Sequence, residues 1–290
     1  VVAGGVVSFN CGADFVEIEV NTSVVDKVVT VNGGGRIGLN GDDLRQHFLV
    51  LGTGNLTLND ISLLDGGAGG GNGGAISIAP NGQVTINRSF LTSNFTESGS
   101  DGGAIYTSGI LTINNTTLGA NEARTAGGDG GAIYINGGTV VIRDAYLINN
   151  QAQNGGIRLV GGSLTFERSA LRSNIARANG GGLHIESNAG AITNSTFSNN
   201  KADRGGAIYK IGNTPITNAT FNENRADLGG AIFSQGGQTV LKNTILAGSL
   251  EEEGSSPSLN CDGPSMVSGG RNVIDDGTCL PNPGASGDLF

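Results

Sequence analysis

Residues 118–133, LGANEARTAGGDGGAI, contain both of the motifs that decide the fold. The first motif is a large apolar residue three positions before an asparagine, here Leu118 and Asn121. The second is a glycine pair followed by a small and an aliphatic residue, here Gly130-Gly131-Ala132-Ile133. An alternating run such as Leu111-Thr112-Ile113 precedes the first motif, and its period of two indicates a short β-strand.

Both motifs recur in phase along the chain. The glycine pairs begin at Gly73, Gly102, Gly130, Gly155, Gly181, Gly205 and Gly229, and the asparagines are Asn94, Asn121, Asn150, Asn174, Asn200 and Asn224. Successive asparagines lie 24 to 29 residues apart, a spacing that suits three short strands joined by tight corners. The sequence therefore predicts an all-β protein, a single-stranded right-handed parallel β-helix (solenoid) of roughly nine or ten coils.

The recurring asparagines are predicted to form a structural ladder. In a parallel stack, equivalent residues of successive coils lie over one another, so a buried side-chain amide can donate a hydrogen bond to the next one. A row of ligand-binding amides is the alternative, but stacked coils need a fixed register and we favour the ladder. A phosphate cradle at the glycine pairs is excluded, because a strand rather than a helix follows each pair.

The β-helix is predicted to occupy residues 1–248 and a loop-rich C-terminal cap residues 249–290. Cys261 and Cys279 lie 18 residues apart in this glycine- and proline-rich end segment. We expect them to form a disulfide, since a loop-rich cap without a core gains most from a covalent link. Two buried free thiols are the alternative, and Cys11 is left without a partner in either case.

Charge and composition exclude several classes of function. The formal net charge is −9, so the basic surface that nucleic-acid binding requires is missing and anionic membranes are disfavoured. The apolar runs are too short to span a bilayer, so no membrane-spanning segment is expected. The chain contains no tryptophan and few tyrosines, which weakens the case for sugar binding.

No catalytic motif is recognisable, and we favour a protein without enzymatic activity or cofactor. The two histidines, His47 and His184, are 137 positions apart and are expected to be ordinary surface or hydrogen-bonded residues. Acidic residues precede several glycine pairs, and of these Asp203 and Asp227 share one register. Carboxylates stacked at coil spacing can bind Ca²⁺, but we favour a solvated corner whose charges tolerate one another. Asp101 and Asp129 also precede glycine pairs and are expected to stack in the same way.

The two motifs together resemble the repeats of chlamydial-type polymorphic outer-membrane proteins. Over residues 5–280 the chain also resembles bacterial right-handed parallel β-helix proteins with a choice-of-anchor type C-terminal cap, which Asn260-Cys261 and residues 270–279, GRNVIDDGTC, match. The resemblance implies a secreted or cell-surface protein with an adhesive, passenger or scaffold role. It also implies that the chain is part of a longer protein, and that Cys11 either has lost its partner or pairs with a cysteine in a cap that precedes it.

These observations favour a non-enzymatic adhesin, envelope scaffold or filament subunit. Its expected partners are other copies of itself, joined end to end, or other surface components. The alternative is a β-helix that binds or degrades polysaccharides, which predicts carboxylates, a basic residue and an aromatic platform together on one exposed face. A third possibility, a flat face for a repetitive ligand, requires an unbroken outward row of threonines, whereas Val141 interrupts the row of Thr85, Thr112 and Thr165.

Overall fold

A computed structural model describes residues 4–124, 127–188, 190–251, 259–264, 266–280 and 287–290. Every regular element in these ranges is a β-strand, and all strand pairings are parallel. The strands form a β-solenoid of about ten turns, which confirms the predicted fold class. Across the same ranges, no helix suitable for crossing a membrane is present.

Thirty-two strands are present in the described residues. The first sixteen are β1 (Gly5–Ser8), β2 (Val16–Glu19), β3 (Ser23–Val25), β4 (Val28–Asn40), β5 (Phe48–Val50), β6 (Asn55–Leu64), β7 (Ile76–Ile78), β8 (Gln83–Asn87), β9 (Phe90–Thr92), β10 (Phe95–Thr96), β11 (Ile105–Thr107), β12 (Ile110–Asn114), β13 (Thr117–Gly119), β14 (Glu122–Ala123), β15 (Ile133–Arg143) and β16 (Tyr146–Ile148). The others are β17 (Gln151–Asn154), β18 (Ile157–Glu167), β19 (Ala170–Arg172), β20 (Ile175–Asn179), β21 (Leu183–Ile185), β22 (Gly190–Thr193), β23 (Thr196–Ser198), β24 (Ile208–Lys210), β25 (Ile216–Thr217), β26 (Thr220–Asn222), β27 (Ile232–Ser234), β28 (Thr239–Lys242), β29 (Ile245–Ala247), β30 (Cys261–Asp262), β31 (Met266–Ser268) and β32 (Val273–Ile274).

Successive coils place these strands on three main faces. Face A begins with β3, β5, β7 and β11 and ends with β27 and β30. Face B runs from β1 to β31 and face C from β2 to β32, and the long strands β4, β6, β15 and β18 each contribute to two faces. A shorter fourth side contains β10, β14, β17 and β20.

The core consists of aliphatic and aromatic columns that run along the solenoid. One column follows the apolar residue of the asparagine motif and comprises Leu91, Leu118, Leu147, Leu171, Phe197, Phe221 and Leu246, all 0% exposed. A second follows the glycine pairs and comprises Ile76, Ile105, Ile133, Ile157, Leu183, Ile208 and Ile232, also all 0% exposed. Because alternate residues of a strand point to opposite faces, the residue after each member of the second column points outward.

The glycine pairs form the corner that leads into face A. Gly102 has a φ of 71°, a left-handed conformation that side chains other than glycine rarely adopt. A Cβ atom on Gly103 would lie 2.1 Å from the carbonyl oxygen of Gly131 in the next coil, so no larger residue fits. In the fifth copy the positive φ belongs to Gly180 rather than Gly181, so this copy starts one residue earlier than the sequence suggested.

Part of the predicted C-terminal cap continues the solenoid. β30, β31 and β32 pair in register with β27, β28 and β29, so regular stacking extends to Ile274 rather than ending at residue 248. The Cys261–Cys279 disulfide is present and ties this last coil to the segment that follows it. Cys11 is a free, exposed cysteine.

Candidate functional site

The six predicted asparagines form one continuous row inside the solenoid. Each side chain is at most 1% exposed, and five Nδ2–Oδ1 hydrogen bonds of 2.9 to 3.0 Å join successive members from Asn94 to Asn224. Asn150, for example, also donates to the carbonyl oxygen of Leu118 and accepts the backbone N–H of Asn121 at 3.0 Å. Both amide hydrogens and the amide oxygen are therefore used within the protein, which leaves no capacity for a ligand.

The candidate site is a column of outward side chains on face A that we call the strip. Its members follow the buried aliphatic residue of successive glycine motifs and are Tyr106, Tyr134, Arg158, His184, Tyr209 and Phe233. Six residues at strand spacing span about 24 Å. The strip is therefore long enough to contact an extended ligand at several points.

Two aromatic stacks lie on either side of Arg158. The rings of Tyr106 and Tyr134 are 5.5 Å apart and nearly parallel, with an interplanar angle of 7°. On the other side Tyr209 and Phe233 are 5.4 Å apart at 9°, and His184 packs against Tyr209 with ring centroids 4.6 Å apart. Parallel stacking at coil spacing fixes the orientation of each ring, so both platforms are preorganised.

Arg158 lies at the centre of a charged cluster. Its Nη1 is 3.2 Å from Asp129 Oδ2 and its Nη2 donates to Glu186 Oε1 at 2.7 Å. The side chains of Arg158 and Asp129 are only 13% and 14% exposed, and that of Glu186 is 30% exposed. One cation thus serves two carboxylates in a partly desolvated position, where charge-assisted hydrogen bonds are strong.

Asp101 is a third carboxylate beside the strip. Its Oδ1 accepts the backbone N–H of Asp129 at 3.0 Å, and its own N–H donates to Asn72 at 2.8 Å. Burial raises the pKa of Asp101 to about 6 and also raises the pKa of Asp129. Among the described residues Asp101 has no salt-bridge partner, in contrast to Asp129.

His184 is buried within the strip, with 3% of its surface exposed. Burial, reinforced by the charge of Arg158, lowers the pKa of His184 to about 3, so the ring is neutral. Arg158 Nη1 lies 3.3 Å from Nδ1, which places the proton of the neutral ring on Nε2. Nε2 lies 3.5 Å from Glu186 Oε1. His184 is thus buried rather than on the surface, and its contact with Arg158 fits the expectation of a hydrogen-bonded histidine.

The structure separates the four acidic residues that the sequence grouped together. Asp129 accepts from Asn154, Asn154 accepts from Asn179, and Asn179 pairs with Arg204. The row continues with Arg204 and Leu228. Asp203 and Asp227 each lie one position before a member of this row, and both are exposed. No cluster of three or more side chains of the types that ligate metals occurs in the part of the chain that the structure describes. Calcium binding at Asp203 and Asp227 stays a prediction.

Sequence reasoning missed the strip although a signal for it exists. When the glycine motifs are aligned, the residue that follows the aliphatic position in six successive copies is a member of the strip. Three of the four tyrosines in the chain occur at this single position, a concentration that the structural repeat does not require. The residue types differ from copy to copy, so a search for a conserved motif passes over them.

The model of the Chlamydia polymorphic membrane protein repeat matches this chain at residues 194–210 and 218–235. Each matched stretch includes one ladder asparagine, one glycine pair and one outward residue of the strip, Tyr209 or Phe233. No curated protein and no solved structure matches the chain significantly. The matched repeats and the parallel solenoid are consistent with a β-helix repeat protein of the polymorphic membrane protein type.

Proposed function

We propose that this protein acts at the cell surface as an adhesive β-helix that binds a glycan along the strip without cleaving it. The match to a membrane-protein repeat of Chlamydia supports a surface location. The internal ladder and the apolar columns account for the stability of the tube.

The observation that carries the proposal is the joint presence of aromatic platforms, carboxylates and an arginine on one face. Sugar rings have apolar C–H surfaces that pack against aromatic side chains, and their hydroxyl groups need preorganised polar partners. Tyr106 and Tyr134 supply the first requirement, while Asp129 and Arg158 supply the second. The polysaccharide-binding alternative predicts these residue types together on an exposed face, and here Arg158 and Asp129 keep 13% and 14% of their side chains exposed.

The energetic properties of the strip also favour a binding role. Burial raises the pKa values of Asp101 and Asp129, which means that their charged forms are disfavoured in the folded protein. Groups with perturbed pKa values cluster at functional sites, because a purely structural position would be filled by a less costly residue.

The experiment that tests this function is a binding screen of the purified chain against immobilised polysaccharides of varied composition. Wild-type protein is compared with the Tyr106→Ala/Tyr134→Ala double variant, which removes one aromatic stack. Tyr146→Ala is the matched control, because Tyr146 is a tyrosine on face C with 64% of its surface exposed. The products are also analysed for shortened chains, since the proposal expects binding without cleavage.

We expect at least one glycan to bind the wild type and the Tyr146→Ala control equally well. The double variant loses most of this binding while it keeps the same thermal unfolding midpoint within a few degrees. Equal binding by the double variant, or no binding by any protein across the screen, would contradict the proposal.

A further inference from the structure

Lys210 is a charged residue in the core of the solenoid. Its side chain points inward, in the face A column that contains Leu159 and Ile185 in the preceding coils, and it is 0% exposed. Nζ donates to the carbonyl oxygens of Gly212 at 3.0 Å and Gly236 at 2.7 Å, which uses two of its three hydrogens. In the described part of the chain, no carboxylate forms an ion pair with this ammonium group.

The buried ammonium group keeps its charge near neutral pH. Burial lowers the pKa of Lys210 to about 8, which is still above neutrality. Lysine is almost never fully buried unless it is paired, because a buried charge without a counter-charge is costly. The surroundings of Lys210 therefore require one negative charge that the described side chains do not supply.

Two buried hydroxyl groups provide a second, independent observation. Thr214 and Thr239 are both 0% exposed, and neither Oγ1 has a hydrogen-bond partner among the described residues. The two threonines are equivalent residues of adjacent coils, because Ile216 pairs with Leu241 two positions later. Native proteins seldom leave a buried hydroxyl group without a partner, so this pair also indicates a bound group.

The corner between faces A and B brings the three side chains together. The Lys210 ammonium binds the carbonyl oxygen of Gly212, which is two residues before Thr214. It also binds the carbonyl oxygen of Gly236, which is three residues before Thr239. One ammonium hydrogen and two hydroxyl hydrogens thus lie in a single buried corner, and all three need an acceptor.

The column that contains the two threonines changes its composition at this corner. Gly190 takes the place of an aliphatic side chain, since the equivalent residues of the preceding coils are Val84, Leu111, Val140 and Leu164. A Cβ atom on Gly190 would lie 3.6 Å from Thr214 Oγ1 and 3.3 Å from Ile185 Cδ1. The hydroxyl group of Thr214 therefore faces the space that a leucine side chain fills one coil earlier.

We propose that this corner binds a chloride ion, which accepts hydrogen bonds from the Lys210 ammonium and from the hydroxyl groups of Thr214 and Thr239. A monatomic anion suits the site, because it balances one buried charge and accepts from several donors at once. A water molecule would satisfy donors but leave the charge unbalanced. The ion joins adjacent coils and stabilises this part of the solenoid, and this role does not depend on glycan binding along the strip.

Bromide is the crystallographic probe, because it takes the place of chloride and scatters X-rays anomalously. Wild-type crystals are soaked in sodium bromide, and anomalous difference maps are calculated. We expect a peak within hydrogen-bond distance of Lys210 Nζ and of at least one of the two threonine hydroxyl groups. Peaks confined to the surface would mean an adventitious ion only and would overturn the proposal, as would a water without anomalous signal in the corner.

Thermal unfolding tests the same site in solution. Chloride is exchanged for gluconate, an anion too large for the corner, at constant ionic strength. The unfolding midpoint of the wild type should rise by about 3 °C for each tenfold increase in chloride above its dissociation constant. A midpoint that is the same in both salts would contradict chloride binding.

Three variants show whether the chloride effect belongs to this corner. Lys210→Met removes the charge at similar length and should abolish the effect, whereas Lys242→Met, at an exposed lysine on face B, should keep it. Thr214→Val removes one donor at nearly constant volume and should weaken both the effect and the bromide peak, which decides the matter if Lys210→Met does not fold. An undiminished chloride effect in Lys210→Met or Thr214→Val would reveal a general salt effect and refute the site.

Discussion

Arg158 Nη1 lies 3.2 Å from Asp129 Oδ2. Both side chains are more than four-fifths buried, although that of Arg158 points away from the core of the solenoid. The pair differs from the other close arginine–carboxylate contacts of the solenoid. Arg168, for example, contacts Asp144 at 2.8 and 3.0 Å, but its side chain is 46% exposed. The strip thus contains a desolvated ion pair, whereas the corners contain solvated ones.

Replacing Arg158 is expected to destabilise the protein strongly. Arg158→Met leaves Asp129 and Glu186 partly buried without a cation, and we expect the free energy of unfolding to fall by about 3 kcal/mol near neutral pH. Arg168→Met is the control and should change the free energy of unfolding much less, because exposed ion pairs contribute little. Urea denaturation of both variants measures the difference. Equal losses would show that the strip pair is no more desolvated than the corner pair.

Asp101→Asn is expected to stabilise the protein. The pKa of Asp101 is raised to about 6, so the folded state binds the proton more tightly than the unfolded chain does. Stability from this group is therefore fully present below about pH 4 and is lost as pH rises through about 6. At neutral pH the variant should gain about 1 to 2 kcal/mol. Urea unfolding at two pH values checks this, and a gain that persists at about pH 4 would contradict the assigned cause.

Substitution of a ladder asparagine should lower the free energy of unfolding more than substitution of an exposed asparagine. Asn150→Ala removes donors to Asn174 and Leu118 and the acceptor for Asn121, leaving several buried polar groups unpaired. We expect a loss of about 2 to 4 kcal/mol in the free energy of unfolding. Asn222→Ala, an exposed asparagine on face C, should change it by less than about 0.5 kcal/mol. A similar small effect at both positions would mean that the ladder does not hold the coils together.

A second buried histidine predicts acid sensitivity. His47 is 1% exposed, its Nε2 lies 2.8 Å from the carbonyl oxygen of Leu39, and burial lowers its pKa to about 4. Because the folded-state pKa is depressed, the stability linked to this group is present above about pH 6.5 and is lost as pH falls toward 4. Between about pH 7 and pH 4, the free energy of unfolding of the His47→Gln variant should therefore fall by about 2 kcal/mol less than that of the wild type. An unchanged acid dependence, measured by chemical denaturation at both pH values, would exclude His47 as a cause.

The sequence predicted the features of the fold in which the same residue type recurs at the same position of successive coils. Asn121 and Gly130 recur because every coil needs the same buried amide and the same left-handed corner, so their periodicity is visible without coordinates. The continuation of stacking into the predicted cap was missed, because Cys261 occupies the position that Ile232 holds in the previous coil and no glycine pair precedes it.

The candidate site was harder to predict because its members differ in residue type. Tyr134, Arg158 and His184 occupy equivalent positions but share no chemistry, and only the register of the coils reveals that they are neighbours. The sequence singled out Asp203 and Asp227 because the same residue type recurs in the same register. The more desolvated carboxylates are those of Asp101 and Asp129. Burial and charge pairing decide which carboxylates are perturbed, and neither can be read from spacing alone.

The most direct test of the account is a crystal structure of the chain with a glycan that the binding screen identifies. We predict sugar density along face A, with at least one ring packed against Tyr106 and polar contacts to Arg158. Density confined to another face, such as the threonine row of Thr85 and Thr112 on face B, would contradict the assignment of the strip as the binding site.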